Sequence, residues 1–262
     1  EELFRVSGPS YWPFFASGAT ILIFIGELFN LYWVVGLGAF GVVGSLILWH
    51  WPDKAGHRQQ DEEEFERTHK ISVNPKGSRA VSLLGMQLAV LIVGIALGTF
   101  LFSYFYIRFE NPVWPPEGIA PPEILLTLIA AFLVLASGGG MVWAVRAIRQ
   151  GNRGSMRLGL AIAFLLGALA LGVQIFDFSR LGFRPDFHAY GSLFYILSGF
   201  AFAVLSIGLM MNVLTQFWAW RGEYTARDHV GIENTALFWY AVIVVWLLIF
   251  ITLYGVPYLT QA

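Results

Sequence analysis

The chain contains no cysteine and few charged residues. Among its 262 residues there is no Cys, and only 13% are Asp, Glu, Lys or Arg, against roughly 25% in soluble domains. The absence of Cys excludes thiolate metal sites, iron–sulfur ligation and a disulfide framework. The formal net charge of -1 provides no basic surface, so a nucleic acid is not expected as a partner.

Histidine is absent from the interior of every long apolar segment. The histidines all lie in loops or at segment ends: His50, His57, His69, His188 and His229. Imidazole is the usual buried ligand of haem iron, copper and zinc. We therefore expect no haem, copper or zinc site within the spans of this chain, and a function that is shared with other proteins.

Long apolar segments dominate what remains, since 57% of the residues are hydrophobic. A helix that crosses the hydrocarbon core needs about 20 apolar residues. Residues 11–51 form an apolar run about twice that length, which predicts a hairpin of two spans with its turn near Asn30. In all, the sequence predicts seven spans, near residues 11–29, 31–51, 80–109, 122–148, 157–183, 189–219 and 233–259.

The predicted fold is an all-α polytopic membrane protein with three regions. Residues 1–51 form a two-helix hairpin, residues 52–79 a polar cytoplasmic loop, and residues 80–262 a five-helix transmembrane bundle. With the N-terminus inside, only three of the 16 Lys and Arg residues fall on outer segments: Arg108, Arg180 and Arg184. This asymmetry predicts an inside N-terminus and an outside C-terminus.

Three carboxylates near the ends of predicted spans are candidates, and the first, Glu27, lies near the outer end of the first span, where it can reach water. Asp177 precedes Arg180 by three residues, a spacing that suits an ion pair on a helix. Glu233 begins the last span, where an acidic residue stabilises a helix N-terminus. Ionisable groups within spans are functional candidates by default. We interpret all three as structural residues that pair or cap, with a proton-linked role as the alternative.

Small and uncharged polar residues mark places where helices can meet. Gly94 and Gly98 are spaced as a small-xxx-small pair, and Ser137 is followed by three consecutive glycines. Such positions permit close backbone contact between spans; a flexible hinge at the glycine triplet is the alternative. Three amides within spans are expected to form interhelical hydrogen bonds: Gln87, Gln174 and Asn212.

Several local motifs, in order along nearly the whole chain, resemble subunit III of the haem–copper cytochrome c oxidases. The segment Pro9–Pro13 (PSYWP) resembles the family's entry into its first helix, and Trp114–Ile119 (WPPEGI) is similar to the family's WPPxGI. Further matches are Leu135–Gly138, Trp143-Ala144, Gln174 with Asp177, Tyr190–Phe194, Gly199-Phe200, Glu233, Trp239, Val244–Trp246 and Tyr254.

The sequence also departs from the family pattern at polar positions. The family's third-helix glutamate falls in an apolar region, at Val93 or a neighbour such as Ala89. Its two sixth-helix histidines are replaced near Ala201 and Val204, and its seventh-helix His and Asp by Tyr240 and Ile243. The chain is therefore similar to a divergent, bacterial-type member, and the roles of those polar groups are not carried over.

The resemblance implies a non-catalytic core subunit of an aerobic respiratory oxidase. The first two helices would splay from the bundle to form a cleft that holds phospholipids. The main partner would be subunit I, with subunit II and small subunits, and haem a and copper would reside in those partners. The subunit would stabilise subunit I, support oxygen entry and proton uptake, and meet cytochrome c or another respiratory complex only through the assembly. The implied location is a bacterial inner membrane.

Four residues at predicted inner boundaries are candidates to contact lipid headgroups: His50, Trp51, Arg79 and Arg221. Cations beside a membrane attract anionic headgroups by about 1 kcal/mol each. The alternative is ordinary anchoring of positively charged inner segments.

Two other functions stay open from the sequence. One is a subunit III-like accessory subunit of a quinol oxidase or nitric oxide reductase. The other is a stand-alone transporter or receptor. The absence of charged or broken helices near the midplane disfavours a transporter, and the predicted inside N-terminus disfavours a signalling receptor. All three lysines lie between residues 54 and 76, so a retinal Schiff base within a span is excluded.

Overall fold

The computed structural model describes residues 11–49, 79–111, 113–116, 119, 123–186, 188–226 and 228–255. These residues form seven α-helices: α1 (Trp12–Leu28), α2 (Tyr32–Trp49), α3 (Arg79–Glu110), α4 (Ile124–Arg149), α5 (Arg153–Phe178), α6 (Ala189–Trp220) and α7 (Val230–Phe250), the last followed by a π-helical turn, Ile251–Gly255. By length and composition, α3 to α7 can cross a membrane, and α1 and α2 are shorter apolar helices. The all-helical polytopic fold is confirmed, whereas its orientation stays a prediction.

Local backbone conformation and capping account for two of the observed boundaries. The turn predicted near Asn30 is confirmed, because Asn30 has φ 55°, a left-handed conformation that Asn tolerates. Helix α5 begins at Arg153 rather than at residue 157, because Asn152 caps it by accepting a hydrogen bond from the Ser155 N–H at 3.0 Å. It ends at Phe178 rather than 183.

The chain forms two compact units, residues 1–78 and 79–262. In the first unit, α1 and α2 pack as a hairpin through small residues. A Cβ at Gly38 would lie 2.7 Å from Ile23 Cγ1 and 2.8 Å from the Ala19 carbonyl oxygen. Glycine therefore allows the two backbones to approach closely, as expected where dispersion packing holds membrane helices together.

In the second unit, α7 packs against α3, α4 and α6, while α5 lies along α4 and also contacts α6. Trp239 on α7 is 0% exposed, and its indole N–H donates to the Ser137 hydroxyl of α4 at 3.0 Å. The hydroxyls of Thr215 and Thr235 join α6 to α7 at 2.7 Å. Buried apolar packing and a few interhelical hydrogen bonds thus hold the bundle together.

Helices α4 and α5 cross at a site made of four small residues. A Cβ at Gly159 would lie 2.8 Å from the Ala144 backbone nitrogen, and one at Gly140 would lie 3.0 Å from that of Ala163. The prediction of close packing at the glycine cluster is confirmed for Gly140, and also for Gly138, whose Cβ would lie 2.6 Å from Ile243 Cδ1.

The small-residue pair on α3 behaves differently. A Cβ at Gly94 or Gly98 would have no heavy atom within 4 Å, and both residues are exposed. The prediction that this pair brings two helices together is therefore wrong within the bundle unit. The physical reason is that α3 meets α6 and α7 through a neighbouring side of the helix, which carries the buried residues Leu97 and Tyr104.

Candidate functional site

The first polar cluster, called the Asp177 cluster, consists of Thr127, Gln174, Asp177 and Tyr254. It lies where α4 begins and where α5 and α7 end. The Asp177 carboxylate is 7% exposed and accepts a hydrogen bond from the Thr127 hydroxyl at 2.7 Å. The Gln174 amide donates to the Tyr254 hydroxyl at 3.4 Å, and that hydroxyl also lies close to Thr127. The cluster therefore joins three helices.

The predicted ion pair between Asp177 and Arg180 is wrong. The Arg180 guanidinium lies instead over the Phe176 ring, 5.7 Å from its centroid. Helix α5 ends at Phe178, so Arg180 is outside the helix and the i,i+3 geometry that would align the two side chains is lost. Asp177 faces α4, and its Thr127 partner lies 50 residues away in sequence.

The expected interhelical hydrogen bonds of the three amides differ in outcome. Gln174 bonds to Tyr254, as predicted. Asn212 is 0% exposed, yet neither its amide nitrogen nor its oxygen has a hydrogen-bond partner, so that prediction is wrong. Gln87 lies on an exposed face of α3.

The second polar cluster, called the Glu233 cluster, lies at the opposite end of the bundle and consists of Arg149, His229 and Glu233. Arg149 Nη2 is 3.1 Å from Glu233 Oε1, and His229 Nε2 is 3.2 Å from the same oxygen. The Glu233 side chain is only 10% exposed. Glu233 is thus an acidic residue in the first turn of α7, and it also ties this helix to the end of α4.

A loop tyrosine lies near this cluster. Tyr224 is half-buried between α6 and α7. Burial is the main cause that raises the pKa of the Tyr224 phenol above its ordinary value. A hydrogen bond with Thr215 lowers this pKa, whereas the nearby Asp228 and Glu223 carboxylates raise it further. The phenol therefore keeps its proton at neutral pH and acts as a neutral packing and hydrogen-bonding group.

Arginines and tryptophans line the same end of the bundle. The Arg221 guanidinium lies 5.6 Å from the Phe217 ring centroid and 5.5 Å from that of Trp218. Arg157 donates from Nε to the Ala219 carbonyl at 3.1 Å and lies over Trp220 at 5.0 Å. A guanidinium stacked on an aromatic ring keeps its outer N–H groups available to an anion.

Of the four residues predicted to contact lipid headgroups, only Arg221 has a side chain within the described part of the structure. Arg221 is exposed at the end of α6, on the aromatic surface just described. Arg79 is the first residue of α3, and its side chain lies outside the described part of the structure. His50 and Trp51 also lie outside the described residues. Arg157 was not predicted from the sequence to be a headgroup residue, because the fifth predicted span begins at this position.

No group of three His, Asp or Glu residues that could hold a metal ion occurs in the described residues. The positions where the sequence departs from the resembling family are apolar or lack a metal-ligating group. Ala201 and Val204 are 4% and 3% exposed within the bundle, and Ile243 packs against Gly138. Among the described residues, two of the carboxylates singled out from the sequence, Asp177 and Glu233, therefore lie in the two clusters, and the other buried polar groups are uncharged side chains such as Ser137 and Asn212.

The chain is similar to one family along nearly all of its length. Residues 3–257 match the family model of cytochrome c oxidase subunit III. The relative named "Probable cytochrome c oxidase subunit 3" from Rickettsia felis is 30% identical over 275 residues, covering 97% of this chain and 95% of that protein. "Cytochrome c oxidase subunit 3" proteins of Prototheca wickerhamii and Ornithorhynchus anatinus are each 28% identical and cover 96% of this chain and 96% of their own length.

Proposed function

Because this chain belongs to the cytochrome c oxidase subunit III family, we propose that it is a non-catalytic core subunit of an aerobic cytochrome c oxidase in a bacterial inner membrane. The observation that carries the proposal is the match over residues 3–257, which includes both helical units. The chain would add no electron-transfer step of its own and would act on the catalytic subunit through contact.

The proposed main partner is the haem a- and copper-bearing subunit I, with subunit II and small subunits in the same complex. The exposed side of α3 supports contact with further helices or lipid. Leu91, Ile95 and Phe102 on this side are 57%, 62% and 69% exposed. In a bilayer such a face packs against acyl chains or another span at little cost, since it carries no charge.

Lipid contact is the second part of the proposal. Arg221 is exposed beside the Phe217 and Trp218 rings and has no ion pair with an acidic side chain in the described residues. A phosphate group could therefore bind its free N–H groups while the rings contact the upper acyl chains. His50, Trp51 and Arg79 are proposed to contribute to headgroup binding in the same way.

The remaining parts of the proposed function are support for oxygen entry and for proton uptake. The bundle interior between the two polar clusters is mostly apolar and aromatic and contains no buried charge in the described residues, although Ser137 and Asn212 are buried there; this supports passage of a small apolar gas rather than of ions. Asp177 and Glu233 each have a specific hydrogen-bonding or ionic partner, which favours structural roles for both. Support for proton uptake would then act through subunit I and not through a proton path within this chain.

Co-purification tests the proposed assembly. An affinity-tagged chain, extracted from its native membrane in mild detergent, is expected to bring a haem–copper subunit I with it. The reduced-minus-oxidised spectrum of that sample should show haem a, and mass spectrometry should identify subunits I and II. A b-type spectrum with a different catalytic partner would favour the quinol oxidase or nitric oxide reductase alternative. A colourless chain that purifies alone would contradict both.

A further inference from the structure

A small cavity of ≈ 20 Å³ lies beside the Asp177 cluster, between α4, α5, α6 and α7. Its polar lining residues are Thr127, Gln174, Ser198, Trp246 and Tyr254, and the remainder is apolar. A cavity must offer roughly 10–15 Å³ and polar partners to hold one water molecule. The volume of this cavity is enough for one water molecule, and its mainly apolar lining includes a few polar side chains that could serve as partners.

Two lining side chains carry buried polar atoms without a partner. Gln174 and Trp246 are each 4% exposed, and neither Gln174 Oε1 nor Trp246 Nε1 has a hydrogen-bond partner. Leaving a buried donor or acceptor unsatisfied destabilises the folded protein. One of these atoms is an acceptor and the other a donor, so a ligand that both donates and accepts would satisfy the pair.

We propose that this cavity is a binding site for one water molecule. The water accepts a hydrogen bond from the Trp246 indole N–H and donates one to Gln174 Oε1; its second proton is available to the Ser198 hydroxyl. An apolar gas of similar size could not satisfy either side chain. The Gln174 amide already donates to Tyr254, so the water extends the Asp177 cluster to Trp246 and adds a polar link between α5 and α7. This site does not depend on the proposed oxidase function.

A direct test is a high-resolution cryo-electron microscopy map of the native complex that resolves other buried waters. We expect a density peak about 2.7–3.2 Å from both Gln174 Oε1 and Trp246 Nε1. The Gln174→Met variant, which removes the acceptor, should lose that peak. No peak in the wild-type cavity, or the two side chains bonded directly to each other, would overturn the proposal. A peak that persists unchanged in Gln174→Met would also overturn it.

A double-mutant cycle in the purified full chain gives a second test. Gln174→Met and Trp246→Phe should each lower the melting temperature by about 3 °C or more, since 1 kcal/mol corresponds to roughly 2–4 °C at this size. Because both act on one water, the double variant should lose clearly less than the two shifts added together. Additive losses would contradict a shared water. Gln87→Met and Trp143→Phe, at exposed positions in α3 and α4, are matched controls expected to leave the melting temperature unchanged.

Discussion

At the scale of single residues, the partner of each carboxylate decides its role. Asp177 is buried at the end of α5 and accepts one hydrogen bond from Thr127. A hydrogen bond within a protein contributes about 0.5–1.5 kcal/mol, and leaving a buried polar group without its partner costs about 1–3 kcal/mol. The geometry therefore favours an interhelical structural role for Asp177, with Thr127 as the residue on which it depends.

Substitutions of Asp177 and Thr127 distinguish a structural role of the Asp177 carboxylate from a role in proton transfer. Asp177→Asn keeps an amide oxygen that can accept from Thr127, so turnover and proton pumping by the complex should be intact and assembly only mildly lower. Thr127→Val leaves the buried carboxylate without its donor, so the yield of assembled complex should fall further. Asp186→Asn, at an exposed carboxylate paired with Arg184, is the surface control.

The measurement is the number of protons pumped per electron in reconstituted vesicles, beside the yield of assembled complex. A large loss of pumping in Asp177→Asn with normal assembly would show that the carboxylate is proton-linked, against the structural interpretation.

At the scale of helices, small residues set which spans can approach. The crossing of α4 and α5 depends on Gly140, Ala144, Gly159 and Ala163, where backbones meet backbones. A backbone neighbour cannot rotate away as a flexible side chain can, so added volume at this crossing must separate the two helices. Gly139, one position along α4, has no heavy atom within 4 Å of its Cβ position.

The helix-scale prediction compares these positions. Gly159→Ala should destabilise the purified chain by about 1–3 kcal/mol, the usual cost of overpacking, because its new methyl group would lie 2.8 Å from the Ala144 nitrogen. Gly139→Ala should be neutral or slightly stabilising, since Ala is the better helix former. Thermal unfolding followed by tryptophan fluorescence gives both values. Equal melting temperatures for the two variants would mean that the crossing relaxes and is not tightly packed.

At the scale of the whole molecule, the asymmetry of Lys and Arg predicts the orientation in the membrane. Alkaline phosphatase folds to its active form only outside the inner membrane, so insertions in two short loops test that prediction. An insertion after Gly182, between α5 and α6, should be active, and one after Gly151, between α4 and α5, should be inactive. The reverse pattern would place the N-terminus outside and contradict the positive-inside interpretation.

The order of amino acids alone is enough to specify the spans and the main turn. A run of about 20 apolar residues has few alternatives to a membrane helix, because every backbone group must be hydrogen-bonded within the segment. Asn30 and Asn152 act locally, through a left-handed turn and an N-cap. The family motifs are likewise short linear features, so they can be recognised from the order of residues without any knowledge of which helices are neighbours.

Tertiary packing, by contrast, determines which polar groups meet. Thr127 and Asp177 are 50 residues apart, and Arg149 and Glu233 are 84 apart, so no local spacing predicts either contact. The cavity beside Gln174 and Trp246 likewise requires four helices to be placed together. The physical reason is that these spans are apolar on most sides, so hydropathy identifies the helices but does not tell which face of each packs inward.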